Sequence, residues 1–163
     1  MASEQEALLR RHFMDPDFWR PRLERLERAP RQLVLLPRPE NGRSGTQLLE
    51  LRLLAHDGER LLALLARQSF ARTGCRIRLR PAPVVEAAAV DWPAVGAGLT
   101  DVIFAFPPLR RLEDQVLDVL RVAHAACSVE SVECSSVELD RRSAGPAHDA
   151  LCIAEMIRAR GWV

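Results

Sequence analysis

The sequence predicts a single α+β domain over residues 1–163: a mostly antiparallel sheet seeded by a hairpin at 48–66, with N-terminal helices and a C-terminal β-α-β-α segment packed on it. Three observations carry that reading. Apolar runs from Leu48 to Ala55 and from Arg60 to Ala66 flank His56-Asp57-Gly58-Glu59, and Asp-Gly supplies the positive φ that a tight hairpin turn demands. Cys75, Ile77 and Leu79 alternate with Arg76, Arg78 and Arg80, the period-2 pattern of a strand with one wet face. Beyond Pro107-Pro108, Leu112, Val116, Val119, Leu120 and Ala123 recur at helical spacing between two strand-like stretches.

From the start of the chain, Ser3 with Glu6 forms a capping-box pattern before Ala7, Leu8, Leu9 and Phe13, and Asp15-Pro16 ends that helix. A second helix is expected after Arg20, because Pro21 is tolerated in a first turn, with Leu23 and Leu26 on one face and Pro30 as its stop. Gln32 to Leu36 reads as a short strand halted by Pro37 and Pro39, and 40–46 as a polar loop.

Both pleat faces of the hairpin carry leucine: Leu49, Leu51 and Leu53 on one side, Leu48 and Leu54 on the other, with Leu61 and Leu65 opposite Leu62 and Leu64. Helical spacing can also be drawn through the second arm, whose Leu and Ala prefer helix. As a sheet, the hairpin needs cover on both faces, so the second face must meet another helix layer or another subunit. That argument makes a homodimer the expected assembly.

Residues 84–100 read as an irregular connection or a short helix through which the chain changes layers. Asp101 to Phe106 is a buried strand, followed by the helix after Pro107-Pro108. Strand character is expected again over Val129 to Leu139, with a bulge near Ser135-Ser136. Strand, helix and strand in this order suit a parallel crossover. A last helix, Ala147 to Arg160, turns Ala150, Ile153, Ala154 and Ile157 inward and stops at Gly161.

Composition narrows the function classes. Hydrophobic residues make up 48% of the chain and charged residues 28%, at a formal charge of +1, which excludes disordered and membrane-spanning classes. No apolar run reaches the roughly 18 residues of a membrane span, and the first eleven residues are charged where a signal peptide is apolar, so a cytoplasmic protein is expected. All 23 basic residues are Arg, the bias of a GC-rich, bacterial coding sequence. Near-neutral charge removes the global attraction that drives nonspecific nucleic-acid binding.

Chemistry-bearing residues are few. Cys75, Cys127, Cys134 and Cys152 form no C-x-x-C pair and no zinc spacing, and read as reduced packing thiols. The catalytic candidates are Cys134 or Cys152 as nucleophile, with His148 or His124 as base and Asp149 or Asp140 as orienting group. His56-Asp57 belongs to the hairpin turn, and His148-Asp149 to a helix start; no local spacing completes a metal site, so no cofactor is expected. G-x-S-x-G does not occur, Gly96-Ala97-Gly98 is a turn rather than a phosphate loop, and the loop around Arg43 reads first as a flexible connection.

The Arg76, Arg78, Arg80 ladder, extended across the sheet by Arg52 and Arg60, is the candidate ligand surface, for an acidic protein segment, a phosphate-bearing ligand or single-stranded nucleic acid. No aromatic residue interleaves with it, which removes the stacking half of a nucleic-acid platform. A plain solvated face, neutralised by Glu50 and Glu59, is the simpler account. The function these observations favour is a noncatalytic, self-associating interaction module that holds a protein or an acidic ligand. A small hydrolase or transferase with a cysteine nucleophile is the rival, and a nucleotide or nucleic-acid binder the third reading.

Overall fold

Asp15 opens α1 (Pro16–Arg28), the first helix whose bounds lie among the described residues: its carboxylate accepts the Asp17 N–H at 2.9 Å, and Pro16 occupies the first turn, where its missing N–H costs nothing. Asp15-Pro16 is thus a start signal, and the expectation of a helix beginning after Arg20 is corrected. Pro21 lies inside α1. The helix carries through it because Trp19, Leu23 and Leu26 are buried on either side, and the Trp19 indole donates to the Phe13 carbonyl at 3.0 Å. In this computed structural model the described residues are 11, 13–38, 45–69, 76–132, 137–141 and 145–163. The Ser3 capping box, the Arg43 loop, Cys75, Cys134 and the expected bulge at Ser135-Ser136 lie outside them.

The strands are β1 (Val34–Pro37), β2 (Thr46–Leu54), β3 (Arg60–Gln68), β4 (Arg76–Pro81), β5 (Leu99–Ala105) and β6 (Val137–Leu139). They form one mixed sheet in the order β1-β2-β3-β5-β4-β6. The pairs β1–β2, β2–β3 and β3–β5 are antiparallel, and β5–β4 and β4–β6 parallel. The β2–β3 hairpin forms as expected, with Gly58 at φ +86 in its turn. Pairing on both sides, with β2 and β5, holds the Leu- and Ala-rich β3 extended against its helical preference.

Of the remaining helices, α2 (Trp92–Gly96) lies in the β4–β5 connection, α3 (Leu112–Glu130) joins β5 to β6, and α4 (His148–Ala159) follows β6. Strand character was expected from Val129, but α3 runs to Glu130 and β6 begins only at Val137. Burial of Ala125, Ala126 and Cys127 keeps the helix going, and Ser131 at φ 55 ends it in a left-handed cap.

Register divides the sheet into two faces. The inner face carries Leu49, Leu51, Leu53, Leu61, Leu65, Ile77, Leu79, Val102 and Phe104 against α1, α3 and α4 in the main core. On the outer face, Leu48, Leu64, Ala66 and Ile103 pack with Val90 and Val95 into a second, smaller core. Residues 82–98 therefore supply within the chain part of the cover that the leucine pattern demanded. The outer ends of β1, β2 and β3 stay open: Val34 is 49% exposed and Leu62 37%, and register places both beside Arg52.

Candidate functional site

The arginine ladder and the cysteine–histidine candidates fall in different parts of the fold. Alternation puts Arg76, Arg78 and Arg80 on the outer face of β4, as expected. Asp101 of β5, fully buried, sits between the last two: it accepts from Arg80 Nη2 at 2.8 Å, from Arg80 Nε at 3.2 Å and from Arg78 Nη2 at 3.5 Å. Arg78 also reaches Asp91 at 2.9 Å and holds that carboxyl below the usual carboxylate range. Asp91 in turn caps α2 through the Ala94 N–H, and its own N–H donates to Asp101 at 2.8 Å. These bonds fasten residues 82–98 to the sheet. Arg78 and Arg80 keep 21% and 18% of their side chains in water, against 79% for Arg76.

Arg52 lies three strands from β4 on the same outer face and pairs with Glu50, which Arg38 also grips. Burial works to raise the Glu50 carboxyl, but the two guanidiniums outweigh it and hold the group below its ordinary range. The surroundings are apolar. Gln32, Glu50, Arg52, Leu54, Arg60 and Leu62 contribute to an open groove of about 690 Å³ beside the exposed Val34.

The second group lies where the parallel strands end. β4 leads into the outer-face segment, while β5 and β6 lead into helices of the inner face, so the carboxyl ends of β4 and β6 form a switch point, where open α/β sheets usually carry their ligand crevice. His148 and Cys152 stand there, one turn apart on α4, with Nε2 3.4 Å from the thiol sulfur. His148 Nδ1 lies 3.1 Å from the Arg141 carbonyl; if Nδ1–H donates to it, Nε2 is left as an acceptor facing the thiol. Asp149, proposed as the orienting group, is an exposed first-turn acid of α4, and the backbone carbonyl of Arg141 holds the ring instead. Cys127 is a buried thiol of α3. Among the described residues no cluster of His, Cys, Asp or Glu could hold a metal ion.

Sequence reading missed the ionic cluster that ties the hairpin turn to α3. His56 donates from Nε2 to Asp114 at 2.9 Å, while its Nδ1 is buried with no hydrogen-bond partner among the described residues. Arg110 grips Asp118 through two bonds of 2.9 and 2.8 Å and reaches across to Asp57 of the turn. Burial pushes the Asp118 carboxyl up to about 6 in spite of Arg110. An acid at position 118 inside an apolar helix was the available signal, but its partner cannot be read from local spacing. His124, considered as a base for a cysteine, lines a separate cavity of about 630 Å³ between α1, α3 and Trp162.

One serine, Ser143, falls in chain order between β6 and α4. Between β6 and α4 the chain reads Arg141-Arg142-Ser143-Ala144-Gly145, which keeps the Ser and following Gly of a nucleophile elbow but places Arg where the first Gly belongs. Residues 142–144 lie outside the described ones. In that type of site the acid and the base follow the serine in that order, whereas here His148 is the sole histidine after Ser143 and precedes Asp149.

No family model matches the sequence, and no curated protein does. Solved structures do. Acetyl xylan esterase from Paenibacillus sp. R4 superposes with a TM-score of 0.61 at 11% identity, over 76% of this chain and 50% of the esterase. Acetyl xylan esterase 1 from Thermoanaerobacterium sp. JW/SL YS485 gives 0.59 at 12% identity, over 77% and 50%. Brefeldin A esterase, a bacterial homologue of human hormone sensitive lipase, gives 0.50 at 14%, over 99% and 46%. At such identities the likeness is one of fold, and the chain spans about half the length of these structures.

Proposed function

We propose that this chain is a noncatalytic interaction module that holds a protein partner, first of all another copy of itself, on the part of its outer sheet face left open by residues 82–98. The carrying observation is the patch of Val34, Leu54 and Leu62 around the Arg52–Glu50 pair, an apolar surface with an ionic centre on the face of the sheet opposite the main core. An acidic ligand remains compatible with the same surface through Arg52 and the exposed Arg76, whereas Arg78 and Arg80 already serve Asp91 and Asp101. No aromatic residue alternates with Arg76, Arg78 and Arg80 along β4, which weighs against nucleic acid.

Sedimentation velocity tests the reading. The full chain is expected to associate with rising concentration, and Leu62→Glu, which buries a charge in the contact, to weaken association by about tenfold or more. A chain that stays monomeric to about 0.1 mM, the range of weak self-association, would sink it.

A second reading, an acyl-ester hydrolase or transferase, is favoured by one geometric fact: the Cys152 thiol faces a His148 nitrogen at 3.4 Å. The esterase likeness of the fold is compatible with it. Its test is hydrolysis of p-nitrophenyl acetate by the full chain beside Cys152→Ser and Ser143→Ala. Turnover lost in either variant would replace the noncatalytic reading, and rates equal to buffer would remove the rival.

A further inference from the structure

The register of the sheet specifies how a second copy would be held. β1 is one edge of the sheet, and the Arg38 N–H donates to the Leu48 carbonyl at 2.9 Å. In an antiparallel ladder, hydrogen-bonded pairs alternate. Arg38, Leu36 and Val34 therefore direct their backbone groups toward β2, and Leu33, Leu35 and Pro37 direct theirs away from it.

Natural edge strands are usually blunted by shortness, a proline, a charge, a bulge or a cover, and of these β1 has its four-residue length and Pro37 at its end. From Leu33 to Pro37 this edge carries no charged side chain, and it is apolar on both faces: Val34 points to the outer face and is 49% exposed, and Leu35 points to the inner face and is 42% exposed. Among the described residues nothing pairs with its outer side.

We infer that two copies of this chain join β1 to β1 about a two-fold axis through Leu35, which makes one continuous sheet; the inference rests on the self-associating reading above but moves its contact from the outer face to the sheet edge, where Leu62, two strands inward, is not buried. In this register Leu35 exchanges both backbone hydrogen bonds with Leu35 of the other copy. Leu33 donates to the Pro37 carbonyl across the axis, so proline's missing N–H removes only one possible bond on each side. Val34 lies opposite Leu36 on the outer face, which makes the two open patches contiguous.

Neighbouring registers fit less well. A shift that centres the axis on Val34 sets Leu36 against Gln32, whose φ of 48 ends the extended chain, and a shift to Leu36 pairs the outward groups of Leu35 with a proline that cannot donate. The Leu35 register also keeps like charges apart. Arg38 meets the neutral Gln32 and is already paired with Glu50.

Leu35→Pro tests the contact, because the Leu35 N–H is unused within one copy. Expected are an unchanged far-ultraviolet spectrum and a folded monomer, with association weakened about tenfold or more by the loss of two central bonds. In a Cys152→Ser background, Leu35→Cys is expected to form an intermolecular disulfide between the two substituted positions, mapped by peptide mass spectrometry. Hydrogen-bonded antiparallel pairs sit about 5.5 Å apart at Cα, inside the disulfide range. Arg60→Cys, on the outer face away from β1, should not form one. If the wild type is monomeric throughout, both this contact and the self-association reading fall. If it associates and responds to Leu62→Glu but not to Leu35→Pro, the face reading stands and the strand pairing is overturned.

Discussion

Replacing Arg121 by Met probes what fixes the position of β1. Arg121 is 2% exposed in the middle of α3 and donates to four backbone carbonyls: Leu26 at 2.7 Å, Leu54 at 2.9 Å, Ala29 at 3.0 Å and Pro30 at 3.2 Å. Leu26 lies in the last turn of α1, whose final carbonyls have no partner within the helix, and a cation there also suits the helix dipole. Leu54 ends β2, so one guanidinium joins the exit of α1, the approach to β1 and the hairpin to α3. Burial lowers the Arg121 pKa, yet an arginine remains charged.

Four hydrogen bonds from a charged donor at about 1.5 kcal/mol each give about 6 kcal/mol, and releasing the guanidinium from its buried site returns about half of that. Arg121→Met is therefore expected to cost about 3 kcal/mol, or a melting temperature lower by about 6–12 °C for a domain of this size. Urea denaturation read by tryptophan fluorescence would measure it. Arg121→Lys, with one ammonium in place of the fork, should fall between the two. A Met variant within about 0.5 kcal/mol of wild type would refute the account, because carbonyls stripped of their donor cannot be that cheap to leave buried.

Two more outcomes follow from the buried acids. Asp118 has its folded-state pKa raised to about 6 from 3.8, so the folded chain binds the extra proton between those values. Its contribution is fully present below the lower value and lost as pH rises through the upper one, a swing of about 3 kcal/mol. Urea melts at several pH values should show wild type gaining on Asp118→Asn as pH falls from about 7 to about 4.5; a difference that is flat, or that grows toward neutral pH, contradicts the assignment. Asp101→Asn removes the charge between Arg78 and Arg80 and is expected to cost about 3 kcal/mol or more. It should also loosen residues 82–98 and increase binding of a hydrophobic dye at Leu48, Leu64 and Ile103; unchanged stability and dye binding would show that this ionic cluster does not hold the cover.

The elements with local signatures were legible. Asp57-Gly58 can turn a chain tightly, Arg76 to Arg80 alternate with the pleat, and the apolar stripe of α3 repeats at the helical period, so each names its element from a few neighbouring residues. The misplaced start of α1 was a misreading of local chemistry, since Asp15-Pro16 can end one helix and begin another. Of the candidate site, the outward face of the arginines was readable, because a strand's period dictates it. Their engagement with Asp91 and Asp101 was not, since those partners lie 13 to 23 residues away and meet them only when the chain folds back over the outer face and into β5.

What the sequence by itself determined is the hairpin, the arginine strand and the long helix, the two-sided leucine pattern of the hairpin and the consequent need for cover on both faces. The tertiary structure alone decided that β5 enters between β3 and β4, that residues 82–98 cover only part of the outer face, and that β1 is left as an apolar edge. The physical reason is that alternation records which face a side chain occupies but carries no information about which strand lies beside it. Neighbours are chosen by pairings between distant segments, whose energies are shared across the whole sheet.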